Sequence, residues 1–415
     1  MNRLNEFSGS VHDMNKAADG AGAGQPLPLA GIRVIDFGHT VMGPCCGMLL
    51  ADLGAEIIKV EPVPGGDPTR HLRGFGAGYF GYFNRNKNSI AVDLKSPSGQ
   101  DVIRRLLATA DVLVENFGPG TMERLNLGYE DVKKINPRLI YCELKGFMSG
   151  PYEARPALDE VVQMMSGLAY MTGPVGQPLR AGTSVVDIVG GMFGMIGVVL
   201  ALRERDRTNL GKHVKSALYE SAVFLMGQHL CYASQSSEFI PPMPARTSAW
   251  SIYDLFSTQD GTTIFVGVTS DKHWERFCGE FGLRHLWERP DLRTNNARIE
   301  ARPELIPEVA GVLGAMPKAE VIERLERAGV PFAPVNRPED LFDDPHLDAT
   351  ANLLESKLPN GQSIRTPRLP LRYGDWESGL RQAPPAMGNA THAILTELGF
   401  DQNQIDAMRE GGSVK

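Results

Sequence analysis

Short apolar runs alternate with helix-like stretches from residue 27 to about residue 205. The strand-like runs are Arg33-Val34-Ile35-Asp36-Phe37, Ile57-Ile58-Lys59-Val60, Ile90-Ala91-Val92-Asp93-Leu94, Asp111-Val112-Leu113-Val114-Glu115 and Leu139-Ile140-Tyr141-Cys142. Helix-type spacing separates them, over Cys46 to Leu53 and over Ser98 to Ala110. Strands that alternate with helices predict an α/β fold, in which helices cover both faces of a parallel sheet.

The pattern changes in the second half of the chain. Residues 241–320 begin with a hairpin-like pattern around Asp260-Gly261 and continue with helical segments rich in Trp, Phe and Arg. We therefore predict a large domain that begins with residues 27–224, a small domain at 225–320, and a C-terminal segment, 321–415, that returns to the large domain. Residues 1–26 lack an apolar core and are interpreted as a disordered tail.

Composition excludes several classes of protein. The 415-residue chain has a net charge of −7, which disfavours binding to nucleic acid or to an anionic membrane. The longest uncharged apolar run, Ile188 to Leu202, is shorter than the ~20 residues of a membrane-spanning helix. The five cysteines form no Cys/His cluster, so we expect no metal site and a reducing, cytoplasmic location.

Three loop segments carry candidate binding residues. His39 lies in a turn after the first strand, and Arg124 follows a Gly118-Pro119-Gly120 turn that leads into a helix near Thr121. Helix N-termini of this kind attract anions. Lys145 ends another strand, and open α/β sheets bind ligands at the carboxyl ends of their strands. For each side chain the alternative is an ordinary, solvated loop residue.

Two carboxylates, Asp159 and Asp187, each precede or begin an apolar helix. Either one could act in chemistry or simply stabilise a helix N-terminus. The segment Gly76 to Gly81 fits the pattern GxGxxG, but no strand precedes it. It therefore favours a glycine-rich loop over a substrate, and gives a nicotinamide-dependent dehydrogenase only weak support.

Taken together, these residues resemble the family III CoA-transferases, the CaiB/BaiF-like group within the α-methylacyl-CoA racemase superfamily. The resemblance runs from about Leu29 to Gly399. Its most specific motifs are PLAGIRVIDFGHTVMGP, LADLGAEIIKVE, FNRNKNSIAVDLKSPSGQ and DVLVENFGPGTMERLNLGYEDV. It implies a Rossmann-like large domain, a smaller inserted α+β domain and an interlocked homodimer.

The resemblance also implies ligands and contact residues. Coenzyme A would enter as an acyl-CoA substrate and exchange with a small carboxylic acid, and no cofactor would be tightly bound. The positions that match CoA contacts of the family are His39, Met42, Val92, Lys95, Asn116, Phe117, Arg124 and Lys145. Lys95 and Arg124 would supply countercharge for the CoA phosphates on an otherwise acidic protein.

Family transferases use an aspartate that attacks the acyl-CoA thioester and forms a mixed anhydride, then an aspartyl-CoA thioester. The matching loop here, 172–178, has no carboxylate, and Gly176 or Gln177 occupies the expected place. The related racemases use a His/Asp pair. Asp187 matches that aspartate, but Leu158 replaces the histidine. Asp159 and Asp187 remain the two candidate catalytic residues.

Three functions therefore stay open. The first is transfer of CoA between small carboxylic acids, the second is a racemase or isomerase of acyl-CoA, and the third is a catalytically altered CoA-binding homologue. Dicarboxylic acids are favoured for the first function because several loop arginines could bind a second carboxylate. These arginines are Arg70, Arg73, Arg85, Arg155, Arg180 and Arg246.

Overall fold

The computed structural model describes residues 27–237, 239–246, 248–374 and 376–415. The predicted disordered tail, 1–26, lies outside them. The chain forms two compact units, of which the smaller comprises Ala245–Thr350 and the larger comprises the residues before and after it. The predicted small domain, 225–320, differs from the smaller unit at both ends. Its C-terminal bound differs because Val321 and Leu325, beyond residue 320, are buried in the core of the smaller unit.

A six-stranded parallel sheet forms the centre of the larger unit, as the sequence predicts. Its strands are β1 (Arg33–Asp36), β2 (Glu56–Glu61), β3 (Lys87–Ala91), β4 (Val112–Glu115), β5 (Ile140–Lys145) and β6 (His213–Ala217). Their order is β3-β2-β1-β4-β5-β6, and every neighbouring pair is parallel. This is the doubly wound order of Rossmann folds, and its direction reverses between β1 and β4.

Helices cover both faces of this sheet. Those of the larger unit are α1 (Met42–Asp52), α2 (Tyr79–Phe83), α3 (Pro97–Ala108), α4 (Thr121–Arg124), α5 (Tyr129–Ile135), α6 (Asp159–Met165), α7 (Leu168–Thr172), α8 (Val185–Thr208), α9 (Leu218–Leu225) and α10 (Gly227–Gln235). Successive residues of β1 point to opposite faces, so Val34 and Ile35 belong to different apolar clusters. Both faces of the sheet are therefore buried.

Helix α8 packs closely on α1 because it carries glycine where the two helices meet. A Cβ atom added to Gly190 would lie 2.4 Å from the Cε atom of Met42, and one added to Gly191 would lie 2.8 Å from the backbone oxygen of Met42. The backbone contact at Gly191 leaves no room for a larger side chain, whereas the Met42 side chain near Gly190 could move. This packing fixes the start of α8 beside the turn between β1 and α1.

The smaller unit contains its own sheet and core. Strands β7 (Ile252–Ser257) and β8 (Thr263–Val268) form the predicted hairpin, and β9 (Phe332–Pro334) pairs with β8. Its helices are α11 (Asp271–Glu280), α12 (Arg284–Trp287), α13 (Asn295–Glu300), α14 (Arg302–Gly314), α15 (Lys318–Ala328) and α16 (Pro345–Ala349). The fully buried Trp274 lies in its core.

The chain then returns to the larger unit. Two short antiparallel ribbons follow, formed by β10 (Leu353–Lys357) with β11 (Ser363–Pro367) and by β12 (Arg372–Tyr373) with β13 (Trp376–Glu377). The last helices are α17 (Thr391–Glu397) and α18 (Gln402–Glu410), which pack on the face of the sheet that contains Ile35.

Two elements differ from the sequence prediction. Strand β3 lies earlier than the predicted Ile90 to Leu94, because its pairing with β2 begins at Lys87 and the chain turns after Val92. Val92 instead forms an isolated antiparallel bridge with Val414. The helix expected near Thr121 has only four residues, so it offers less of an anion site than the sequence suggests.

Candidate functional site

The turn between β1 and α1 lies at the point where the strand order reverses. The backbone N–H of His39 donates to Asn116 Oδ1 at 2.8 Å, and Asn116 Nδ2 donates to the backbone oxygen of His39 at 3.0 Å. The rings of His39 and Phe117 are 5.3 Å apart. Three of the predicted CoA-contact residues therefore meet at the carboxyl ends of β1 and β4, where ligands of open α/β sheets bind.

The same turn needs glycine at two positions. A Cβ atom on Gly43 would lie 2.6 Å from the Cα atom of Gly38 and 2.7 Å from Asn116 Oδ1. A Cβ atom on Gly38 would meet the backbone of Gly43 at 2.7 Å. The two ends of the turn therefore touch each other, and this contact holds His39 beside Asn116.

Two buried lysines hold the turn from inside the protein. Lys87 Nζ donates to Asp36 Oδ2 at 2.7 Å and to the backbone oxygen of Pro44 at 2.9 Å. Lys59 Nζ bonds to the backbone oxygen of Gly38 at 2.7 Å. Burial lowers the pKa of Lys87, while the Asp36 carboxylate acts against that effect. The sequence analysis did not predict this network. Lys59 could have indicated it, because a charged residue inside an apolar strand needs a buried partner.

Lys145 is an anchor for the loop after β4. Its Nζ atom donates to both carboxylate oxygens of Glu115, at 2.7 and 2.9 Å, and to the backbone oxygen of Phe117 at 2.8 Å. Glu115 also accepts the backbone N–H of Phe117. Burial raises the pKa of Glu115, and the Lys145 charge opposes that rise. Lys145 thus positions Phe117, in addition to any contact it makes with a ligand.

A cleft of about 460 Å³ opens beside Lys145 and Gly120. Glu143 lies in its wall, within 2.6 Å of His213 Nε2 and 3.3 Å of Lys215 Nζ. Burial acts to raise the pKa of Glu143, but the hydrogen bond with His213 and the nearby lysines lower it to about 2. The cleft therefore contains a permanent carboxylate together with cationic groups, next to the loop that holds Phe117.

The remaining predicted CoA contacts lie in different environments. Lys95 and Arg124 are exposed, and the Arg124 guanidinium donates to Thr121 Oγ1 at 2.8 Å. Met42 and Val92 are almost fully buried. The side chains of Met42 and Val92 therefore pack in the protein interior, and a ligand could contact these two positions through their backbone atoms only.

Asp159 stabilises the start of helix α8. Its Oδ2 atom accepts the backbone N–H groups of Val186 and Asp187, at 2.8 and 3.1 Å, and its Oδ1 atom accepts a hydrogen bond from Gln163. Arg180 Nη2 lies 3.7 Å from the same carboxylate. Both carboxylate oxygens are engaged, so Asp159 has the environment of a helix-capping residue.

Asp187 has a different environment. Its carboxylate makes no hydrogen bond or ion pair with any residue that the structure describes. Burial, followed by the negative charge of Asp159, raises its pKa to about 7, and Arg180 acts in the opposite direction. The next residue, Ile188, packs in an apolar cluster with Val41 and Cys45 of the β1–α1 turn region. An unpaired carboxylate therefore lies near helix α1, close enough for its charge to act on the Cys45 thiol.

The loop that would carry the family aspartate is a simple exposed turn. The Gln177 N–H donates to the Pro174 carbonyl at 2.9 Å, and Gly176 has a φ of +72° at the third position. This is the geometry of a type II turn, which requires glycine there. The loop supplies no carboxylate, so the sequence-based observation of a missing aspartate holds in the fold.

The loop arginines are mostly engaged. Arg70 pairs with Glu61, Arg85 pairs with Asp52 in the interior, and Arg180 pairs with Glu160. Arg155 makes no ion pair among the described residues, and its guanidinium lies 4.8 Å from the centre of the Tyr152 ring. Arg73 and Arg246 are exposed.

The strand order places this chain among the doubly wound α/β proteins, in which nucleotide-like ligands bind at the switch point of the sheet. This chain belongs to CoA-transferase family III, whose sequence profile matches residues 29–391. The protein is therefore an enzyme that transfers CoA.

Similar proteins agree with this assignment. A succinyl-CoA–L-malate CoA-transferase beta subunit from Chloroflexus aurantiacus is 33% identical, over 92% of this chain and 97% of that protein. A succinyl-CoA:glutarate CoA-transferase from Mus musculus is 31% identical, over 94% of this chain and 90% of that protein. The crystal structure of a CAIB/BAIF family protein from Brucella suis superposes with a TM-score of 0.81 at 31% identity, over 90% of this chain and 100% of that one.

Proposed function

We propose that this enzyme transfers CoA between two small dicarboxylic acids through a covalent intermediate on Asp187. The unpaired carboxylate of Asp187, whose pKa is raised to about 7, is the observation that carries this proposal. Asp187 is half-buried, and a partly desolvated carboxylate without hydrogen bonds to the protein is a stronger nucleophile than a fully solvated one. The dicarboxylic substrates are inferred from the names of the succinyl-CoA-dependent relatives.

Acyl-CoA would bind across the carboxyl ends of β1 and β4. His39, Asn116 and Phe117 form a surface at this position, and the exposed Lys95 and Arg124 supply positive charge for the phosphates. Lys145 would support the site through its bonds to Glu115 and Phe117. The thioester would then have to reach Asp187, whose charge acts on Cys45 of helix α1.

The reaction would run in two balanced halves. The Asp187 carboxylate attacks the thioester carbonyl carbon, the C–S bond breaks, and CoA leaves as a thiolate, so that a mixed anhydride remains. The thiolate then attacks the Asp187 carbonyl carbon, the anhydride C–O bond breaks, and the donor acid leaves as a carboxylate. The acceptor carboxylate reverses these steps and departs as the new thioester. No proton is gained or lost over the cycle.

Asp187 is preferred to Asp159 because of the partners that each carboxylate already has. Attack by Asp159 would break its bonds to the N–H groups of Val186 and Asp187 and expose the start of α8. Asp187 loses no bond when it attacks. The racemase alternative needs an acid or base opposite Asp187, and the exposed Leu158 supplies none.

An exchange assay tests this proposal. The enzyme is incubated with succinyl-CoA and labelled malate or glutarate, and the new CoA thioesters are quantified. We expect exchange by the native enzyme, at a rate reduced at least ~10³-fold in D187N. Exchange that survives in D187N would overturn the assignment of the nucleophile. Deuterium wash-in at the α-carbon without exchange would instead indicate the racemase.

We also propose that the enzyme acts as a cytoplasmic homodimer. Met192, Ile196, Val199 and Leu200 form an exposed apolar face on α8, and Leu200 is 62% exposed. Helix α8 is long and apolar enough to cross a membrane, but core helices of water-soluble proteins meet the same criteria of length and composition. Light scattering should give the mass of a dimer, and L200E should lower the stability of that dimer, because interlocked chains separate only when they unfold. A native monomer, or partition of the enzyme into vesicles, would contradict the proposal.

A further inference from the structure

Two oppositely charged side chains lie next to Asp187 without being bonded to its carboxylate. Asp159 binds the backbone N–H of Asp187, at 3.1 Å, and Arg180 lies 3.7 Å from the Asp159 carboxylate. Asp159 is almost fully buried, and the side chain of Arg180 is 25% exposed. Both charges act on Asp187, and water screens the charge of the buried Asp159 less than that of the partly exposed Arg180.

Hydrogen bonds between three segments of the chain hold the side chains of Asp159 and Arg180 in place. Gln163, one turn after Asp159 on α6, donates to Asp159 and accepts the backbone N–H of Ala181 at 2.9 Å. Arg180 Nε donates to the backbone oxygen of Ala181 at 2.9 Å, and its Nη2 atom donates to that of Thr183 at 3.0 Å. The loop that precedes α8 is thus held from both sides, so the start of the helix has one defined position.

We propose that Asp159 and Arg180 are positioning residues that fix Asp187 at the start of α8 and act on its carboxylate with charges of opposite sign. This inference rests on the proposed role of Asp187 as the nucleophile. Asp159 makes the Asp187 carboxylate more basic by repulsion, and Arg180 makes it less basic by attraction. The two charges thus act in opposite directions on a carboxyl group whose pKa is raised to about 7, so Asp187 is only partly ionised at neutral pH.

Few other ionisable groups face Asp187. The Cys45 thiol, on α1, feels the Asp187 charge, but burial raises the pKa of this thiol to about 12, so Cys45 stays neutral. Glu160 pairs with Arg180 from the exposed side. The charge balance at Asp187 therefore depends on Asp159 and Arg180, and it can be tested by removing one charge at a time.

The test is the pH dependence of kcat/KM for succinyl-CoA in D159N and R180M. Asparagine removes the charge but keeps an oxygen that can accept the N–H groups of Val186 and Asp187, while its NH2 group loses the hydrogen bond that Gln163 donates to Asp159. We expect the acidic limb of the profile to move to lower pH in D159N and to higher pH in R180M. Each shift should be on the order of one pH unit. The control D206N, at the exposed far end of α8, should leave the limb in place.

Each outcome decides the inference. If Asp159 and Arg180 had a purely structural role, both variants would be less stable and the acidic limb of their pH profiles would not move. Limbs that move in the same direction in both variants would also refute the proposal of two opposing charges. If D159N does not fold, the pH profile of R180M alone tests the proposal. An acidic limb that stays in place or moves to lower pH in R180M would refute it. Loss of exchange in D187N is measured separately, so failure of the nucleophile assignment is distinguishable from failure of this inference.

Discussion

Replacing Asp187 by asparagine should make the folded protein more stable at neutral pH while it destroys activity. Burial and the Asp159 charge raise the pKa of Asp187 from 3.8 to about 7. At about 1.4 kcal/mol for each pKa unit, ionising this group in the folded state costs at most about 4 kcal/mol. The asparagine amide never ionises, so D187N avoids this cost.

Whether stability rises or falls with pH depends on which state, folded or unfolded, keeps the proton of Asp187. Below about pH 4 Asp187 is protonated in both states, and it contributes no pH dependence. Between about pH 4 and pH 7 the unfolded chain has lost this proton while the folded protein keeps it, so the stability of the native enzyme falls as pH rises. Above about pH 7 both states are ionised and the difference is constant.

Urea unfolding, followed by far-UV circular dichroism from about pH 4 to about pH 8, measures this difference. The free energy of unfolding of D187N minus that of the native enzyme should increase with pH and level off above neutrality. Comparing slopes removes the pH-independent cost of burying the asparagine amide. D206N is the matched control and should give a flat difference. A flat difference for D187N as well would show that Asp187 is an ordinary acid, and the reasoning on its nucleophilicity would fail.

Further substitutions test the turn and the loop that carry the CoA site. K87M leaves the buried Asp36 carboxylate without its ion-pair partner and should lower the free energy of unfolding by about 3–5 kcal/mol. Urea unfolding measures this loss. An unchanged midpoint of the urea transition would show that the pair is dispensable. N116A removes both hydrogen bonds to the His39 backbone but leaves the buried Lys87–Asp36 pair intact. It should weaken CoA binding, measured by calorimetry, about 10-fold. An affinity equal to that of the native enzyme would argue against this position of CoA. K145M releases the Phe117 loop and should raise KM for acyl-CoA more than it lowers kcat, and an effect confined to kcat would contradict the anchoring role.

The sheet could be predicted from sequence because its strands are continuous apolar runs bounded by turns. The runs around Ile35, Ile58 and Leu113 correspond to β1, β2 and β4. Strand β3 was displaced because its position depends on pairing with β2 and on the contact of Val92 with Val414, which local pattern does not reveal. Long-range contacts, and not propensity, decided that boundary.

The candidate site was only partly predictable, for a similar reason. The meeting of His39 with Asn116 follows from the rule that strand ends share an edge, which sequence order is enough to apply. The different environments of Asp159 and Asp187 do not follow from sequence. Both precede or begin apolar helices, and only the fold shows that Asp159 caps α8 from a different helix while Asp187 is left without a partner among the described residues. The ribbons at 353–377 have mostly exposed, polar residues and give no strand signal.

Mass spectrometry of the enzyme after exposure to succinyl-CoA tests the central claim most directly. Hydroxylamine converts an aspartyl anhydride or thioester into a hydroxamate, whose mass identifies the residue after proteolysis. The account predicts a single hydroxamate at Asp187 that depends on succinyl-CoA and is absent from D187N. A hydroxamate at any other residue, or exchange of CoA without a trapped aspartate, would contradict it.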